Sequence, residues 1–159
     1  MFKRHLAIAA CTVLLSHSAH AQSEAASAPP TPFFLEAADC AAAFEARVIE
    51  RKAQPRTEAR NQAILRDTEL GFVYIGVAYR RGLRNPEADE MLKAAEKRWS
   101  QLSKPEQAKR LGSCVTQAEQ LMEDVSGLER FIVRNRAAAR VDRLLEKEKE
   151  KEHEAQAAH

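Results

Sequence analysis

The chain has 159 residues, 30% of them charged, with 25 Lys and Arg against 23 Asp and Glu. An excess of two positive charges gives no general electrostatic grip on nucleic acid. The length suits one domain with a single core, and three cysteines leave room for one disulfide at most.

The first 21 residues read as a cleavable export signal. Lys3, Arg4 and His5 form a basic start, and Leu6 to Leu15 is an uncharged apolar run. That run is about half of the roughly 20 residues a membrane-spanning helix needs. Ala19-His20-Ala21 is a small-x-small cleavage pattern, so the mature chain is expected to begin at Gln22, in the periplasm or outside the cell. A lipoprotein reading would cut before Cys11, in the middle of the apolar run, and fits less well. Removing residues 1–21 takes away Lys3 and Arg4, leaving a formally neutral chain with no second apolar stretch long enough to cross a membrane. Cys40 and Cys114 remain. In an oxidising compartment an even pair is most simply one disulfide, the alternative being two buried thiols.

Residues 22–32 are rich in Ala, Ser and Pro and read as an extended lead-in. From Phe33 the pattern is helical almost throughout. Ala37, Cys40, Ala41, Phe44 and Val48 mark one face of a first helix ending before Pro55. A second helix is expected from about Arg56 to Arg81, with Ile64, Thr68, Phe72, Ile75 and Tyr79 inward and Gly82 as its stop. Asn85 and Pro86 suggest the cap and first turn of a third helix, whose apolar face is Ala88, Met91, Leu92, Ala95, Trp99 and Leu102. Ser103 and Glu106 form a capping box for a fourth helix, carrying Leu111, Cys114, Val115, Ala118, Leu121, Met122 and Val125. Ser126 and Glu129 either cap a fifth helix or mark a kink in a long fourth one; its expected inner face is Leu128, Phe131, Ile132, Ala138 and Leu145. The alternating Glu and Lys after Leu145 (residues 146–159 as a unit) read as a solvated, fraying tail. The expected fold is therefore a single all-α domain, residues 33–145, of four or five bundled helices with one disulfide.

Between Glu69 and Leu102 the spacing is more particular. Phe72, Ile75, Gly76, Tyr79, Ala88, Leu92 and Ala95, around the turn Gly82 to Ala88, fall where a helical hairpin of about 34 residues places its large and small side chains. This stretch resembles a tetratricopeptide repeat, and the resemblance implies a peptide- or protein-binding scaffold. It covers one unit, with no clean second copy.

Catalytic signatures are scarce. Outside the signal the histidines are His153 and His159, both in the tail, so a His-based triad or zinc site in the helical part is excluded. No glycine-rich phosphate loop exists, and no catalytic, cofactor or metal residue is assigned. Carboxylates such as Asp39, Glu45, Glu69, Glu119, Asp124 and Asp142 are abundant enough to keep a hydrolase as a distant third reading. Arg80, Arg81 and Arg84 crowd one turn, and Arg136, Arg140 and Arg143 share a helix face that could meet an anionic partner or membrane surface. The ordinary alternative is a solvated face balanced by Glu129, Asp142 and Glu146. The leading functional expectation is a non-enzymatic interaction or scaffold module of the cell envelope, binding another envelope protein or peptide. Its rival is a carrier holding a small apolar ligand between helices near Phe72, Tyr79, Trp99 and Phe131. The sequence leaves the oligomeric state open.

Overall fold

The computed structural model describes residues 31–157, so the export signal, the Ala21–Gln22 cleavage site and most of the lead-in lie outside the described residues. Among these residues the chain forms five helices and no strand: α1 (Pro32–Lys52), α2 (Glu58–Arg80), α3 (Glu87–Gln101), α4 (Lys104–Asp124) and α5 (Gly127–Ala157). This is the small all-α bundle that the spacing of apolar residues implied.

Local chemistry accounts for most helix ends. Thr31 caps α1 by accepting from the Phe34 N–H, with Pro32 at the first helical position. The helix thus takes in the last residue assigned to the lead-in. α2 stops at Arg80 because Gly82 sits at φ 111°, a conformation costly for a side chain. There the Leu83 N–H donates to the Ala78 carbonyl and the Gly82 N–H to that of Tyr79. These are the two bonds of a Schellman ending, with Leu83 buried beneath them.

The Ser103 N–H and hydroxyl both donate to Glu106, at 2.8 and 2.6 Å. Ser126 and Glu129 bond reciprocally, at 2.8 and 3.3 Å, so α4 and α5 are separate helices. One expected cap is not formed. The Asn85 Oδ1 accepts from the Tyr79 hydroxyl instead, the Asn85–Pro86 peptide is cis, and α3 begins at Glu87.

α2 is the central helix, packed on α1, α4 and α5, while α3 lies on α1. The main core joins Phe44, Leu70, Val73, Tyr74, Val77, Leu83, Met91, Ala95, Ala118 and Val133. A smaller cluster of Val48, Ile64 and Val141, with Leu144 and Leu145 against it, holds the far end of α5. The Cys40–Cys114 disulfide ties α1 to α4, its Cα atoms 5.4 Å apart.

Two inward faces were read only in part from the sequence: Ile64 and Thr68 of α2 are buried as expected, and Phe72 and Leu145 pack against the core clusters. α2 is buried on several sides, so Leu70, Val73, Tyr74 and Val77 are core, whereas Phe72 and Tyr79 are half-buried and Ile75 is exposed. α5 carries two apolar stripes, and the smaller side chains face inward. Val133, Ala137 and Val141 are buried, and a Cβ on Gly76 would lie 3.9 Å from Val133. Leu128, Phe131 and Ile132 are left outside, at 70%, 61% and 42% exposure.

The charged tail is the mostly exposed end of α5. α5 continues to Ala157, and Glu148 accepts from Arg60 at 2.6 Å and lies 3.8 Å from Arg56. Arg60 is itself buried and also donates to the carbonyls of Lys52 and Gln54. It joins the α1–α2 turn to α5.

Candidate functional site

α1 and α5 pack on either side of α2 and leave a groove above it. Its floor is Thr68, Gly71, Phe72 and Ile75 of α2, and Ala41, Phe44, Val48 and Ile49 form the α1 wall. Leu144 and Arg140 of α5 and Leu92 of α3 complete it, around a volume of about 240 Å³. Gly71 keeps the floor low, since a Cβ there would stand 3.4 Å from the Phe44 side chain.

The polar groups are placed to hold the groove's shape. Asp67 has a side chain only 4% exposed and receives Arg47 Nε at 3.2 Å and the Arg51 guanidinium. Two cations from successive turns of α1 thus compensate a carboxylate buried on α2. Thr68 donates its hydroxyl to the Ile64 carbonyl at 2.8 Å, satisfying itself within its own helix. Arg140 bridges α5 to Glu45 of α1 at 3.2 Å, and Lys52 stands at the same rim. Ile49, 63% exposed, is the apolar side chain most open to solvent here. The result is an apolar trough with a mixed but partly cationic edge.

The four side chains expected to share a ligand cavity are not brought together. Phe72 lines the groove. Trp99 lines a separate depression with Asp39, Arg98 and Arg110, Tyr79 bonds to Asn85, and Phe131 is exposed on α5. Aromatic residues were grouped by type, and helix rotation separated them.

The first arginine group is engaged within the fold. Arg80 pairs with Glu129 at 2.7 Å, the Arg81 guanidinium sits 3.9 Å from the Phe33 ring centroid, and Arg84 donates to the carbonyls of Tyr79 and Leu83. Of the second group, Arg140 is paired, whereas Arg136 and Arg143 are exposed and without a partner among the described residues. Asp39 is a junction, accepting from Arg98 of α3 at 2.6 Å and from Arg110 of α4 at 3.0 Å.

Sequence reasoning missed Asp67 and Arg60. Their signal was legible afterwards: both lie on the α2 face that carries Ile64, and Arg47 and Arg51 are four apart on the neighbouring helix.

The Tyr74 hydroxyl lies within hydrogen-bond distance of the Cys114 carbonyl (3.0 Å) and Gln117 Oε1 (3.1 Å). Burial, and then the negative charge of Glu36, push its pKa well above the ordinary value. Tyr74 is thus a neutral core donor beside the disulfide.

Among the described residues no three His, Cys, Asp or Glu side chains are grouped to hold a metal, and no helix is long and apolar enough to cross a membrane. No family model, curated protein or solved structure matches this chain.

Proposed function

We propose that the protein is a non-enzymatic interaction module of the cell envelope, and that the groove over α2 receives an apolar segment of a partner protein. The observation that carries this reading is the groove's open, apolar floor between two helical walls. A trough of this kind suits an amphipathic helix, whose apolar face lies on Phe72, Ile75 and Ile49 while its polar face stays in water. Lys52 at the rim favours an acidic residue flanking that apolar face, beside the Arg140–Glu45 pair. The repeat-like spacing from Glu69 to Leu102 points to the same class of function, because it supplies the floor residues Phe72 and Ile75. A disulfide between Cys40 and Cys114 suits an oxidising compartment, in keeping with export.

A photoreactive residue at Ile49 provides the test, with one at Glu119 on exposed α4 as the control. An adduct with one envelope protein, formed from Ile49 only and lost in Arg140→Glu, is the expected result. Equal labelling from both positions, or none from Ile49, refutes the reading.

The second reading is a small apolar-ligand carrier using the same trough. Its volume of about 240 Å³ lies below the roughly 300 Å³ at which drug-sized pockets begin. A ligand would therefore be small or would protrude. Mass spectrometry of the natively purified protein distinguishes the two, since a carrier brings its ligand with it. Trp99 lies away from this trough and does not serve as the reporter; a tryptophan at Phe72 does.

A further inference from the structure

The inward choice of Val133, Ala137 and Val141 leaves the opposite side of α5 with a ridge of its own. Leu128, Phe131 and Ile132 stand at successive positions of one face, at 70%, 61% and 42% exposure. At 100° per residue, Asn135 and Ala139, both exposed, continue that face for two further turns. The same geometry puts Arg134 on one shoulder of the ridge and Arg136 and Arg143 on the other. All three arginines are exposed, and none has a partner among the described residues. The carboxylates along this face are Glu129, held by Ser126 and Arg80, and the exposed Asp142 and Glu146, which end the face about three and four turns beyond Ile132.

Leu128, Phe131 and Ile132 line neither the groove over α2 nor the depression beside Trp99, and at these exposures they stand out from α5 as a ridge. Arginines on both shoulders oppose its pairing with a second copy, because two facing ridges would bring like charges together. A soft anionic surface meets both requirements. It yields to a convex apolar ridge, and it accepts the guanidinium groups at headgroup depth while their stems lie along the apolar boundary.

We propose that α5 rests on an anionic phospholipid surface, inserting Leu128, Phe131 and Ile132 while Arg134, Arg136 and Arg143 contact lipid phosphates. Three apolar side chains give reversible, peripheral attachment. The groove over α2 is framed by other side chains of α1, α2 and α5, so a protein can be held there while the ridge lies on lipid.

Flotation of the mature, oxidised protein with lipid vesicles tests this. Binding is expected to vesicles of phosphatidylcholine containing phosphatidylglycerol and not to phosphatidylcholine alone, and it weakens as salt screens the surface charge. Replacing Arg134, Arg136 and Arg143 together with Gln lowers the partition constant roughly a hundredfold, at about one kcal/mol per arginine near an anionic membrane. Leu128→Ser with Phe131→Ser abolishes binding. Both variants keep the wild-type melting curve, because the altered side chains are exposed.

As a readout independent of flotation, Phe131→Trp in a Trp99→Phe background shifts its emission to the blue on the anionic vesicles. Absence of binding to phosphatidylglycerol, equal binding to neutral vesicles, or undiminished binding by the serine variant overturns the proposal. So does a dimer in solution that Phe131→Ser dissociates, or a protein partner whose binding that substitution removes.

Discussion

The disulfide permits the most direct quantitative test of how this small bundle is held together. Cys40 and Cys114 are 74 residues apart in sequence, and both are almost wholly buried. Closing a loop of that length in the unfolded chain stabilises the native state by about 4.5 kcal/mol on the chain-entropy estimate. A domain of this size has a total stability of roughly 5–15 kcal/mol, so the bridge is a large share of it. Cys40→Ala with Cys114→Ala is therefore expected to lose about 4.5 kcal/mol in urea. With an unfolding entropy of about 2.1 cal/mol/K per residue, the midpoint falls by roughly 15 °C. Wild-type protein kept in reductant separates the crosslink from the small void that alanine leaves. It should lose a similar amount with its side chains intact. A loss below about 1 kcal/mol in the reduced wild type would refute the reasoning, since it would mean that the unfolded chain already holds α1 near α4.

Other consequences concern charge. Asp67→Asn removes the anion between Arg47 and Arg51. Their side chains are 31% and 22% exposed and can turn toward water, so the loss is about 2 kcal/mol rather than the 3–5 of a fully buried pair; urea denaturation measures it, and a change under about 0.5 would refute it. Tyr74 has its folded pKa raised above an unfolded value of 10.0. Its contribution is complete below about pH 10 and is lost as the pH rises further, and Tyr74→Phe flattens this alkaline limb in pH-dependent melts while costing about 1 kcal/mol at neutral pH.

Glu106 and Glu129 have pKa values lowered from 4.5 by hydrogen bonds from the side chain and backbone of Ser103 and of Ser126, with Arg80 adding to the second. Their stabilisation is present above pH 4.5 and lost as the pH falls through the lowered values. Protection of the amides at the starts of α4 and α5, relative to their intrinsic exchange rates, should fall there. Ser103→Ala and Ser126→Ala should weaken the dependence, while the backbone N–H of each still donates to its carboxylate.

Several helix ends were legible in the amino-acid sequence because they rest on local chemistry: Gly82 takes a positive φ, and Ser103 and Ser126 reach an acid three residues on. The disulfide partners were legible because two cysteines follow the signal-like start. The expected Asn85 cap is not formed, and the break at Ser126 stayed open in the sequence between a cap and a kink. α3 and α4 each carry a dominant apolar stripe, so their inward faces were legible as well; the expected residues of α1 are buried too, with Ala38, Ala42 and Ala43 extending its burial round the helix.

Only the tertiary structure decided the orientation of α2 and α5. α2 is surrounded, and no single stripe describes a helix buried on several sides. α5 offers two stripes, and hydrophobicity favours Leu128, Phe131 and Ile132. Packing against α2 buries Val133, Ala137 and Val141 instead, with Val133 set over Gly76. That outcome also separates Phe131 from the groove, pairs Asp67 with α1, and leaves an apolar ridge in water. Local propensity acts within a few residues, whereas the rotation of a helix is set by what packs against it.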